Sequence, residues 1–138
     1  MANEEIKIEA VISAELLKVW LYWTSPEHIT NWNFAVPDWG CPRATNDLKP
    51  GGKYFARMEA RDGSFGFDFE AVYDEVEEFN RLVYTLSDGR KVRTKFEQAG
   101  TATKVTTIFD AEIQNPAETQ KKGWQAILDN FKRYVELS

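Results

Sequence analysis

Three stretches carry residue types suited to chemistry. His28, the only histidine, lies in "YWTSPEHITNW" (residues 22–32) between Trp23 and Trp32, with Trp20 one turn upstream. An imidazole among aromatics is a candidate base beside an apolar pocket, but catalysis needs a partner that orients the ring and a substrate within hydrogen-bond reach. No Ser-His-Asp pattern and no nucleophile elbow accompanies it, so its position near the third residue of a short surface helix predicts a structural or exposed role. In "FGFDFEAVYDE", Asp68, Glu70 and Asp74 share one strand face, as a metal or acid–base cluster would. Alternation at i, i+2 also yields a solvated outer face by default, and that is the reading adopted. The opposite face, Phe65, Phe67, Phe69, Ala71 and Tyr73, then turns inward. Cys41, the only cysteine, sits in the loop-like "DWGCPR" with no histidine after it. A reactive thiol needs a lowered pKa and a nearby base, so a passive thiol is expected. No catalytic residue, metal-ligand set or cofactor emerges, and an enzyme, such as a cyclase or hydrolase using pocket acids, ranks last among the functions weighed.

Composition narrows the field further. The 138 residues suit a single domain spanning 1–138 with one core. A charge of −5 argues against nucleic acid, which demands a concentrated positive field. A lone cysteine permits no intrachain disulfide, and no run approaches the ~18 apolar residues of a membrane span. With no basic-then-apolar signal in "MANEEIKIEA", the expected location is the cytoplasm, without membrane association. Aromatics reach 14%, enough to line a cavity as well as fill a core.

The elements that would position these residues are legible in outline. "IKIEAVI" alternates as a half-buried strand with Ile6, Ile8, Ala10 and Ile12 on one face. Ser13 is a cap for a helix over "AELLKVWLYW", whose stripe is Leu16, Leu17, Trp20 and Trp23. Ser25, Pro26 and Glu27 begin a second helix. Residues 33–52 read as irregular, with a short strand hidden near Ala44 to Leu48. Strand-like runs follow, with hairpin signals at Asp62-Gly63 and Asp88-Gly89. Asn115 as cap, Pro116 in first position and Glu118 as capping-box partner open a closing helix of about 33 Å. Its apolar stripe is Trp124, Ile127, Leu128, Phe131, Tyr134 and Val135. Gly123 beside it costs roughly 1 kcal/mol against alanine, which suggests close packing or a need for space.

"VWLYWTSPEHITNW", "LKPGGKYFARM", "EAVYDEV" with "NRLVYT", and "GWQAILDNF" together resemble, in order, the motif series of the START/SRPBCC superfamily. Within it they are most similar to the family named after the heat-shock-protein-90 ATPase activator. The resemblance rests on Thr24 to Glu27 with Trp32, Lys49 to Gly52, Ala71 to Glu75 with Arg81 to Val83, and Gly123-Trp124, and covers almost the entire chain. Asn33 stands where family members often carry a second tryptophan, Ala71 where they carry glycine, and Glu78-Phe79 where they carry a proline pair. The resemblance implies an α+β helix-grip fold: a curved antiparallel sheet around a long C-terminal helix, with two short helices after the first strand. It also implies an apolar cavity between sheet and helix.

Together these readings predict a binding domain for a small apolar or lipid-like ligand. The strand residues placed inward are Tyr54 and Met58, then Phe67, Phe69 and Tyr73, then Val92 and Phe96, then Val105 and Phe109. Trp32, Phe34 and Trp39 close the mouth, and Trp124, Ile127, Leu128 and Phe131 form the helix wall. The alternative implied by the resemblance is a protein-interaction module whose partner is a chaperone.

Overall fold

The computed structural model describes residues 4–138. In chain order they form β1 (Glu5–Ile12), α1 (Leu16–Thr24), α2 (Pro26–Trp32), β2 (Trp39–Asn46), β3 (Lys53–Ala60) and β4 (Gly66–Glu77). β5 (Arg81–Leu86), β6 (Lys91–Ala99), β7 (Ala102–Asp110) and α3 (Ala117–Glu136) complete the chain. The seven strands make one curled antiparallel sheet in the order β1-β7-β6-β5-β4-β3-β2. Strands β2 to β7 are therefore a meander, as the hairpin signals predict, and β1 joins beside β7 with Ile6 opposite Phe109 and Ile8 opposite Thr107. The two short helices carry the chain from one sheet edge to the other. The arrangement is α+β, and α3 lies on the concave face against β1. No helix among the described residues is long and apolar enough to cross a membrane.

Alternation produces the core. In β7, Thr103, Val105, Thr107 and Phe109 are buried while their neighbours are half-buried. Phe109, Phe131, Ile12, Ile29, Leu128 and Val105 are almost wholly enclosed. Curvature comes from irregular pairing: between Tyr73 and Glu75 the register of β4 on β5 shifts by one, leaving Asp74 as a bulge. The Lys49–Gly52 turn locks onto the same place, the Gly51 amide donating to the Tyr73 carbonyl (2.8 Å) and the Tyr73 amide to that of Gly52 (2.9 Å). A Cβ on Gly52 would lie 2.0 Å from the Asp47 carbonyl oxygen, so no other residue fits there.

Four local expectations are corrected. Ser13 does not cap α1. A tight turn, with the Ala14 amide donating to the Ile12 carbonyl, aims the Ser13 amide at Glu136 of α3 (2.8 Å). Leu17 leaves the apolar stripe and is 51% exposed; Val19 and Trp20 take the buried face. The strand expected near Ala44 to Leu48 is longer and earlier, since Gly40 and Pro42 are tolerated on an edge strand bulged between Gly40 and Arg43. Helix α3 starts one residue late, with Pro116 at the cap and no side-chain cap. The loop before it is instead held by Gln120. Its Oε1 accepts from the Glu112 amide (2.9 Å), and its Nε2 donates to the carbonyls of Glu112 (3.1 Å) and Asn115 (2.8 Å).

Candidate functional site

Between the concave face and α3 the side chains do not meet everywhere. They leave a recess of about 300 Å³. Trp124, Ile127 and Leu128 of α3 form one wall, and Trp23 and Trp32 of the short helices close one end. The sheet supplies Ile8, Tyr54, Met58, Phe67, Phe69, Tyr84, Val92, Thr94 and Thr107, and Asn33, Arg90, Glu112 and Gln120 complete the lining. Phe67, 50% exposed, marks the opening.

The gap has a local cause. Toward its C-terminus α3 meets aromatic rings from α1 and α2: Phe131 lies edge-on to Trp23 (4.9 Å) and Trp32 (4.8 Å). Toward its N-terminus no helix faces it, and its ring there, Trp124, is stacked flat on Phe109 (4.0 Å, 15°). Gly123, next to it, would meet nothing within 4 Å if given a Cβ. Of the two reasons offered for that glycine, close packing is therefore excluded.

The polar groups along the recess are four hydroxyls, two amides, two charged side chains and the tryptophan indoles. Thr94 and Thr107, paired in register on β6 and β7 and both buried, share a hydrogen bond of 3.1 Å. Asn33 Nδ2 donates to the Tyr54 hydroxyl at 3.4 Å. Burial pushes the Tyr54 and Tyr84 phenols up, so both stay neutral donors. The formal charges are Arg90, whose Nε donates to Asp88 (2.7 Å), and Glu112, whose carboxylate accepts from Asn115. These walls offer apolar area and neutral hydrogen-bond donors.

Nine of the sixteen residues singled out above border the recess: Trp32, Tyr54, Met58, Phe67, Phe69, Val92, Trp124, Ile127 and Leu128. The other seven do not. Phe96 and Phe131 are consumed by the Trp20–Trp23–Trp32 cluster, and Val105 and Phe109 are solid core. The Tyr73 hydroxyl donates to Asn46 (2.8 Å), away from the gap. Phe34 sits under the Arg61 guanidinium (5.2 Å), and Trp39 leans on Phe67 from outside (6.1 Å). The mouth loop is thus read one residue off: α2 ends at Trp32, and it is Asn33 whose side chain enters. Phe65, expected on the inward face, precedes β4 and is 73% exposed.

The chemically suggestive residues fall elsewhere. His28 stacks on Tyr22 (3.8 Å, 11°), and its Nδ1 shares a hydrogen bond of 2.8 Å with the Tyr134 hydroxyl, tying α2 to α3. Asp68, Glu70 and Asp74 are exposed on the outer face, where Asp68 pairs with Arg57 (3.1 Å) and Asp74 with Lys91 (3.1 Å). The Thr85 hydroxyl and then Lys91 hold the Asp74 carboxyl below its usual range. Cys41 lies buried in β2, not in a mobile loop, and burial pushes its thiol up to about 11. Among the described residues no group of three or more His, Cys, Asp or Glu side chains is arranged to hold a metal ion.

Over residues 13–136 the chain matches the family described as Activator of Hsp90 ATPase homolog 1-like protein. The chain belongs to this family. The solution structure of an AHSA1-like protein from Aeromonas hydrophila has 43% identity and a TM-score of 0.92, over 97% of this chain and 93% of that one. A Cytophaga hutchinsonii protein solved in solution has 47% identity and a TM-score of 0.84, over 96% and 92%. A Nitrosomonas europaea protein with 16% identity and a TM-score of 0.83, over 99% and 97%, shares the fold. No curated protein matches the chain. Within this Hsp90-activator-like family, several motif residues serve as scaffolding here, while Trp32 and Trp124 also border the recess. The Trp32 indole donates to the Tyr22 carbonyl (2.9 Å), and the Thr24 carbonyl accepts from Asn46 (2.7 Å). Phe79, in place of the family's proline pair, has φ of 63° and lies edge-on to Trp20 (5.7 Å).

Proposed function

We propose that this chain is a binding domain for a small, largely apolar molecule held between the sheet and α3. The observation that carries this reading is the recess of about 300 Å³, walled mainly by aromatic and aliphatic side chains with few polar groups. Ligand sites of ordinary proteins have this character and a volume from roughly 300 Å³ upward. The lining tryptophans Trp23, Trp32 and Trp124 provide the assay. Titration with N-phenyl-1-naphthylamine, an uncharged fluorescent probe, should give saturable energy transfer from tryptophan with one probe per chain. A signal that rises linearly without saturation contradicts the reading.

A second reading rests on the family's name: the domain acts on a chaperone ATPase through its outer surface. It predicts that adding the chain to an Hsp90-type chaperone raises ATP turnover. An unchanged rate at saturating chain removes this reading and leaves the first intact.

A further inference from the structure

The hydroxyls on the sheet side of the recess hold more hydrogens than the described residues accept. Thr94 and Thr107 have one O–H each, and their mutual bond uses one of the two; the other hydrogen has no acceptor among the described residues. Tyr54 accepts from Asn33 but donates to none of the described residues. Tyr84, stacked near Tyr54 (5.6 Å), has no hydrogen-bond partner among the described residues. No fully enclosed side-chain nitrogen or oxygen among the described residues lacks a partner, so the Tyr84 hydroxyl, which has none there, is not sealed in packed core; Thr94, Thr107 and Tyr54 line the same recess. Thr94, Thr107 and Tyr54 are all more than nine-tenths buried, which makes an unmatched donor costly.

The facing wall is different. Trp124, Ile127 and Leu128 present only apolar surface there apart from the indole edge. The charges, Arg90 and Glu112, are of opposite sign and already engaged with Asp88 and Asn115. A carboxylate or ammonium drawn in among the hydroxyls would lose its hydration without a free counter-charge.

We infer that the ligand of this recess is an uncharged molecule with an apolar skeleton and at least one acceptor oxygen of the ketone or ether type. That oxygen meets the Tyr54, Tyr84, Thr94 and Thr107 hydroxyls, while the skeleton lies against α3. This rests on the binding role proposed above and specifies its chemistry.

Benzophenone and diphenylmethane share two phenyl rings and differ in one carbonyl, so they separate the two claims. Both are measured by displacement of N-phenyl-1-naphthylamine from the full chain. A purely apolar recess favours diphenylmethane, the less water-soluble of the two. The hydroxyl wall predicts the reverse, with benzophenone bound about tenfold more tightly. In Tyr84→Phe, and in the double variant Thr94→Val with Thr107→Val, that ratio should fall toward one in at least one of the two. An unchanged amide NMR fingerprint certifies the fold of each. If the threonine variant does not fold, Tyr84→Phe reads the same ratio alone. Equal or tighter binding of diphenylmethane to the wild type overturns the inference but leaves the binding role standing. So does a ketone preference that survives in every folded variant. Failure of both compounds and of the probe to bind overturns both.

Discussion

The two ends of the gap beneath α3 are built from the same kinds of residue and behave differently. At the C-terminal end Trp20, Trp23, Trp32, Phe96 and Phe131 interlock with ring centroids 4.8–5.9 Å apart, and Phe131 is fully buried. At the N-terminal end Phe69, Tyr84 and Trp124 are only half-buried, although they point from the same sheet face and the same helix. The difference lies in the third layer. α1 and α2 press against the first end, and no helix among the described residues covers the second. Aromatic content alone therefore does not decide between a filled core and a hollow one; the layout of covering elements does.

The largest effect should come from truncating one side chain at each end. Phe131→Ala empties a packed site and should cost about 3–5 kcal/mol in chemical denaturation. Ile127→Ala, one turn nearer the open end, should cost no more than about half that, because part of its side chain already faces empty space. Similar losses would break the distinction. Next, Ile127→Trp places a ring in the recess. It should abolish probe binding while leaving the denaturation midpoint near its wild-type value. A large loss of stability would mean that the end is already packed. Gly123→Ala should then stabilise by up to about 1 kcal/mol, since alanine is the better helix former and its methyl meets no neighbour. Last, His28→Gln, which removes the Tyr22 stack and the Tyr134 hydrogen bond at the far end, should cost about 1 kcal/mol in stability. Its probe affinity, measured in the same titration, should equal that of the wild type.

Much of this architecture is legible in the sequence, for identifiable reasons. Two-residue periodicity exposes β1 and β3 to β7, and the Asp-Gly pairs fix their order as a meander. What escapes notice depends on tertiary context. β2 is masked by Gly40 and Pro42, which only an edge position excuses. Helix starts are misplaced because the Ser13 amide is claimed by Glu136 and because Gln120, a residue inside α3, does the work expected of Asn115. The recess shows the same division. Its apolar strand residues follow from alternation, and the same alternation, carried through polar residues, places Thr94 between Val92 and Phe96, Thr107 between Val105 and Phe109, and Tyr84 between Leu82 and Leu86. Treating threonine and tyrosine as neutral to the pattern conceals them. Arg90, Glu112 and Gln120 lie at turns or helix ends, where no periodicity speaks. Phe96, Phe131 and Phe109 point inward as expected, but pattern cannot say that other rings would already be waiting for them.

The contrast between the two ends can be read directly by amide and indole NMR during titration with benzophenone. The account predicts saturable shifts at Tyr84, Thr94, Thr107, Ile127 and the Trp124 indole, with Trp20, Phe96 and Phe131 left near their free positions. Shifts centred on the Trp20–Phe96–Phe131 cluster, or no saturable shift anywhere, would contradict it.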